Sequence, residues 1–111
     1  MLHENIGINE KGHLTFAGCD TVELAGKYGT PVYLLDENRI RRNCRVYTSA
    51  MREFFGGDSG PLFASKALSF RGIYRIMKEE GMRCDIVSPG ELYTASSAGF
   101  PMERAYFHGN N

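Results

Sequence analysis

Residues 61–108 read PLFASKALSFRGIYRIMKEEGMRCDIVSPGELYTASSAGFPMERAYFH, and this stretch decides the fold. Three short apolar runs punctuate it: Leu62-Phe63-Ala64, Cys84 to Val87, and Ala105-Tyr106-Phe107. Each is short enough for a buried strand and too short for a helix. Helical patterns separate them. Ser69 is placed to cap a helix whose inner face is Phe70, Ile73, Ile76 and Met77, and Gly81 ends it. Ser88-Pro89-Gly90-Glu91 has the chemistry of a helix start: a serine cap, a proline in the first turn, and a glutamate at the third position to close a capping box. That helix ends near Gly99, with Pro101 beyond it. The strand ends fall at Lys66, Val87 and His108, a repeat of roughly 21 residues of strand plus helix. This is the βα rhythm of a parallel sheet or barrel, so the predicted fold class is α/β.

Upstream, the pattern changes. Ile6 to Ile8 and Leu14 to Phe16 flank the turn-rich Asn9-Glu10-Lys11-Gly12 and predict strand, turn, strand. Asp20, with Glu23 three residues on, predicts the cap of a short helix that stops at Gly29. Thr30-Pro31 restarts the chain as an extended run, Val32 to Leu35. Asp36 can cap a longer helix in which Ile40, Cys44, Tyr47, Met51 and Phe54 recur on one apolar face. Gly56-Gly57-Asp58-Ser59-Gly60 breaks it. These glycines lack the spacing of a P-loop or a dinucleotide fingerprint and read as a connection. The reading divides the chain at residues 1–35 and 36–111.

Composition excludes several classes. Of 111 residues, 42% are hydrophobic and 23% charged, which is globular rather than disordered. Thirteen basic and thirteen acidic residues cancel, leaving no field to attract nucleic acid or an anionic membrane. Arg39, Arg41, Arg42 and Arg45 read as a solvated helix face rather than a phosphate patch. No stretch has the ~18 apolar residues of a membrane span. Three cysteines, Cys19, Cys44 and Cys84, give no CxxC spacing and argue against a disulfide framework or a metal knuckle. A reducing cytoplasm is the expected location. Three βα strands fall short of the roughly 250 residues of a complete barrel, so the chain is expected to be part of a longer protein.

Lys66 is the informative residue for chemistry. It lies at the carboxyl end of the strand that opens the repeat, the face on which barrels build active sites. Position alone favours a solvent-exposed lysine at a strand end; the alternative is that, following Leu62-Phe63-Ala64, its amine loses part of its hydration, which favours the neutral nucleophile. Asp85, at the end of the next strand, is placed beside it. Glu91 has a competing structural role, because its spacing from Ser88 already makes a capping box. His108 falls at the third strand end and reads as a structural histidine. Asn110 and Asn111 could hydrogen-bond in a site or serve as ordinary loop residues.

Phe63-Ala64-Ser65-Lys66-Ala67 resembles the cofactor-lysine motif of the barrel-type (fold type III) pyridoxal-phosphate decarboxylases: tyrosine or phenylalanine, alanine, any residue, lysine, alanine. Cys84 to Leu92 resembles that family's second-strand motif, with an aspartate, a serine and a glycine-glutamate pair. Ala98-Gly99-Phe100-Pro101 with Phe107-His108-Gly109-Asn110-Asn111 resembles its third segment. Ala25 to Tyr33 is similar to the segment in which the chain leaves a β-sandwich domain for the barrel. Ser88-Pro89-Gly90-Glu91-Leu92-Tyr93 and the Phe107–Asn111 run are closest to the diaminopimelate decarboxylase branch.

The resemblance implies an incomplete (β/α)8 TIM-type barrel, its first few βα units preceded by a short segment of a β-sandwich domain. It implies pyridoxal 5'-phosphate as cofactor, Lys66 as the catalytic Schiff-base lysine, and Asp85 and Glu91 near the cofactor. It further implies decarboxylation of meso-2,6-diaminopimelate to L-lysine and CO2 in lysine biosynthesis, an amino-acid substrate, and a homodimer for the full-length enzyme. The family's glycine-rich phosphate loop, its pyridine-facing acid, its substrate-carboxylate contacts and its partner-subunit cysteine lie beyond these residues, so the chain alone is expected to be inactive. A sister enzyme acting on ornithine, arginine or carboxynorspermidine, or a non-catalytic half-barrel subunit needing a partner chain, are the alternatives.

Overall fold

The computed structural model describes residues 3–109 and resolves into two compact units, one ending at Arg39 and one beginning at Ile40. The first unit opens with an antiparallel meander: β1 (Ile6–Ile8), β2 (Leu14–Phe16) and β3 (Cys19–Asp20). Ile6 faces Phe16 and Ile8 faces Leu14 in register. The third strand was not predicted: it is two residues long, below the length at which alternation can be read. The helix α1 (Thr21–Tyr28) follows at once. Asp20 caps it, its carboxylate accepting from the amides of Val22 and Glu23. The same carboxylate takes Asn9 Nδ2 at 2.8 Å and faces His13 Nδ1 at 2.9 Å, pinning the hairpin to the helix. Burial pushes the Asp20 carboxyl up, but His13, Asn9 and the two amides outweigh it and hold it well below the usual range. Gly29, at φ 80°, ends α1 as predicted, in a conformation that L side chains rarely adopt. The run Val32 to Leu35 joins no ladder and connects α1 to the next helix.

The helix α2 (Glu37–Phe55) starts on Asp36, whose side chain accepts from the Arg39 amide at 3.1 Å. The second unit contains the rest of that helix and a βαβαβ run. Its elements are β4 (Leu62–Ala64), α3 (Arg71–Glu79), β5 (Arg83–Ile86), α4 (Pro89–Ser97) and β6 (Ala105–Phe107). The three strands pair in parallel in chain order, with Phe63 beside Cys84 and Cys84 beside Ala105. Side chains alternate across a strand. Cys84 and Ile86 are fully buried, and they form one core with Ile73, Tyr74, Ile76 and Met77 of α3 and with Ala95 and Phe100. The Tyr74 and Phe100 rings meet edge to face at 6.2 Å. Burying Ile73 or Ile86 contributes about 1.5–3 kcal/mol each.

Two details depart from the sequence reading. Ser69 does not cap α3: Phe70 occupies the cap position without a side-chain bond, and the Ser69 hydroxyl pairs with the Tyr74 hydroxyl at 3.0 Å. Competition for one hydroxyl decides this, since a buried Tyr O–H needs a partner. On α2, Cys44 is buried and Ile40 and Met51 are partly covered, but Tyr47 and Phe54 are 63% and 74% exposed. The covered face is turned toward Arg41 and Thr48 and away from Tyr47 and Phe54. Arg41 reaches Glu79 at 2.6 Å and Glu80 at 3.1 Å, and Arg45 adds a two-bond contact to Glu80. Arg45 foremost, with Arg41, holds the Glu80 carboxyl low against its burial. Two of the four arginines of the basic run are therefore tied to α3.

Burial pushes the Cys84 thiol up to about 12 and raises that of Cys44 as well, while Cys19 is exposed. A thiol-specific reagent should therefore label Cys19 alone in the native protein and all three cysteines in urea. Equal labelling of Cys84 without denaturant would contradict this core.

Candidate active site

The parity that buries Cys84 and Ile86 sends Arg83 and Asp85 to the other face of β5. Asp85 stands in register with Ala64 on one side and Tyr106 on the other, at the carboxyl end of the sheet. One of its oxygens, Oδ1, is buried and has no hydrogen-bond partner. The other, Oδ2, lies 3.9 Å from His108 Nδ1. A buried carboxylate oxygen with no donor carries an uncompensated desolvation cost, and such an atom calls for a cationic or N–H group.

Lys66 comes two residues after Ala64, in a 3-10 turn over Ser65–Ala67 rather than on the strand itself. The Leu68 amide closes that turn on the Ser65 carbonyl at 3.2 Å. The turn carries Lys66 past the apolar strand to an exposed position, so the loss of hydration that the strand could cause is absent. Among the described residues the amine has no hydrogen-bond or ion-pair partner, and none joins it to Asp85.

Glu91 forms the capping box that its spacing predicts. Ser88 accepts from the Glu91 amide at 3.2 Å, and Glu91 Oε2 accepts from the amides of Val87 at 2.7 Å and Ser88 at 3.1 Å. One oxygen is thus committed to the start of α4, which fixes the chain immediately after β5. His108 donates its amide to the Ile86 carbonyl at 2.8 Å, but its ring is 85% exposed, which does not fit a satisfied interior histidine. Asn110 and Asn111 lie outside the described residues.

Ser65 is the residue that sequence reading passed over. It is the single buried polar residue among those described, and its hydroxyl donates to the Asp85 main-chain carbonyl at 2.9 Å. Its signal was faint: a small hydroxyl residue between an apolar strand and the lysine. Among the described residues, no cluster of His, Cys, Asp or Glu suits a metal ion, and no helix is long and apolar enough to cross a membrane.

An unpartnered amine and a donorless buried carboxylate oxygen at the carboxyl ends of parallel strands suit an aldehyde cofactor that becomes cationic on nitrogen. In keeping with that geometry, residues 37–111 match the family model described as pyridoxal-dependent decarboxylase, pyridoxal binding domain, and the chain belongs to that family. Within it, the chain is similar to particular enzymes. It is 47% identical over 109 residues to diaminopimelate decarboxylase of Bacillus methanolicus, covering 98% of this chain and 25% of that protein. It is 48% identical to diaminopimelate decarboxylase of Methanothermobacter thermautotrophicus, covering 96% of this chain and 25% of the relative. Among solved structures, diaminopimelate decarboxylase from M. jannaschii in co-complex with L-lysine superposes with a TM-score of 0.82 at 32% identity, over all of this chain and 26% of that one. The chain therefore spans about a quarter of the length of these relatives.

The cap geometry makes Ser88→Ala measurable. Loss of the hydroxyl that receives the Glu91 amide should cost about 1 kcal/mol in urea-induced unfolding. An unchanged midpoint would mean that the box does not hold α4.

Proposed function

We propose that this chain is the coenzyme-lysine portion of a diaminopimelate decarboxylase, and that Lys66 is the residue to which pyridoxal phosphate attaches. The reading rests on one juxtaposition: the partnerless Lys66 amine follows the strand that pairs with Asp85, whose buried Oδ1 lacks a donor. The relatives named diaminopimelate decarboxylase support meso-2,6-diaminopimelate as substrate and L-lysine with CO2 as products. The M. jannaschii relative in complex with L-lysine supports a site that takes a small amino acid.

In this proposal β4, β5 and β6 are the first parallel strands of a (β/α)8 barrel, and residues 36–111 belong to it. Residues 1–35 belong to a β-sandwich domain and the lead-in to the barrel. The complete enzyme is a cytoplasmic homodimer, and the fragment alone is inactive.

The residues divide the work. When bound, pyridoxal phosphate supplies an electron sink for the bond that breaks as the carboxylate leaves. Lys66 would hold the coenzyme through its amine, and Nζ would return a proton to the substrate carbon. Asp85 would accept from a cationic coenzyme or lysine nitrogen with the oxygen that has no donor among the described residues. Glu91 can reach the coenzyme only through Oε1, because Oε2 is taken by two amides of the helix start.

In a protein extended to the length of its relatives, Lys66→Ala should lower decarboxylation on the order of 10³-fold or more. Borohydride reduction of the wild type with pyridoxal phosphate, followed by peptide mapping, should place the label on Lys66. Full activity in the variant, or a label confined to other lysines, would defeat the reading.

A further inference from the structure

Backbone pairing between β4 and β5 runs in register up to Ala64 beside Asp85, the last partners of the ladder. One residue later the Ser65 hydroxyl supplies a further link, donating to the Asp85 carbonyl at 2.9 Å. Ser65 has no exposed surface, so water cannot replace this bond. The serine carbonyl is also engaged, because it receives the Leu68 amide that closes the turn around Lys66. One residue therefore grips two things at once: its side chain holds the backbone of Asp85, and its main chain holds the turn that presents Lys66. Nothing else among the described residues fixes the lysine, whose own side chain is exposed and unpartnered.

We infer that Ser65 is a positioning residue that ties the turn presenting Lys66 to the strand carrying Asp85, and so tunes how firmly and in which protonation state Lys66 carries its aldehyde coenzyme. The inference rests on the proposed role of Lys66. Without the hydroxyl, the Asp85 carbonyl loses a buried donor and the turn loses its side-chain hydrogen bond to β5. The carboxylate then spends less time beside the coenzyme nitrogen. A nearby carboxylate favours the protonated, cationic form, so loosening the pair lowers the pH at which that nitrogen gives up its proton.

The test uses the relative-length protein loaded with pyridoxal phosphate and compares wild type, Ser65→Ala and Ser65→Cys. The readouts are the pH midpoint of the absorbance of the Lys66-attached coenzyme and the coenzyme dissociation constant, with thermal melting as a check on folding. One hydrogen bond of ordinary strength predicts a midpoint lowered by about half a pH unit or more in Ser65→Ala, and coenzyme binding weakened about fivefold. Ser65→Cys, close in volume and a weaker donor, should fall between wild type and alanine. Should the alanine variant not fold, a midpoint lowered in Ser65→Cys supports the inference and a wild-type midpoint overturns it. A folded Ser65→Ala protein with wild-type midpoint and affinity overturns it while leaving Lys66 as the attachment point. A wild type that carries no coenzyme on Lys66 removes the underlying proposal instead, and the inference with it.

Discussion

Strict alternation along β5 is the constraint on which the rest of the second unit depends. Cys84 and Ile86 have no exposed surface and lie in the core with the side chains of α3. With those two committed inward, Arg83 and Asp85 have no choice of side. A one-residue slip would push a carboxylate into an apolar core, at a cost far above the energy of a surface contact. The burial of two apolar residues thus fixes the face on which a functional acid stands. Parallel pairing then fixes its neighbours, Ala64 on one flank and Tyr106 on the other.

What happens at the carboxyl end of the sheet is governed by short-range hydrogen bonding. Each strand leaves the sheet through a differently stabilised exit. After β4 a 3-10 turn closes on the Ser65 carbonyl, after β5 the Ser88–Glu91 box starts α4, and after β6 the His108 amide returns to Ile86. These bonds hold the backbone while, among the described residues, the Lys66 amine and one Asp85 oxygen have no hydrogen-bond partner and the His108 ring lies 3.9 Å from the other Asp85 oxygen. A rigid frame that presents unsatisfied polar groups suits ligand binding, because the groups need not be reordered when a ligand arrives.

The features legible in the sequence were those with a fixed spacing and a local cause. The Ser88–Glu91 box, the Asp20 cap and the Gly29 stop are each settled within a few residues, and all three form. The α/β alternation was equally plain, since Leu62–Ala64, Cys84–Ile86 and Ala105–Phe107 all pair in one parallel sheet. What the sequence hid depends on partners distant along the chain. Ser69 was available to a helix amide until Tyr74 claimed it. Tyr47 and Phe54 match a helical stripe, but periodicity cannot say how far a neighbour covers it. The strand at Leu62 could have dehydrated Lys66, yet the turn at Ser65 moves the lysine clear of it. The role of Ser65 itself needed the register of two strands, which no local pattern contains.

The most direct measurement is a crystal structure of the protein at the length of its relatives, grown with pyridoxal phosphate. The account predicts continuous density from Lys66 Nζ into the coenzyme, with Asp85 Oδ1 within hydrogen-bonding distance of a coenzyme or lysine nitrogen. Coenzyme bound elsewhere, or Asp85 turned toward the helix layer with Lys66 pointing away from the strand ends, would contradict it.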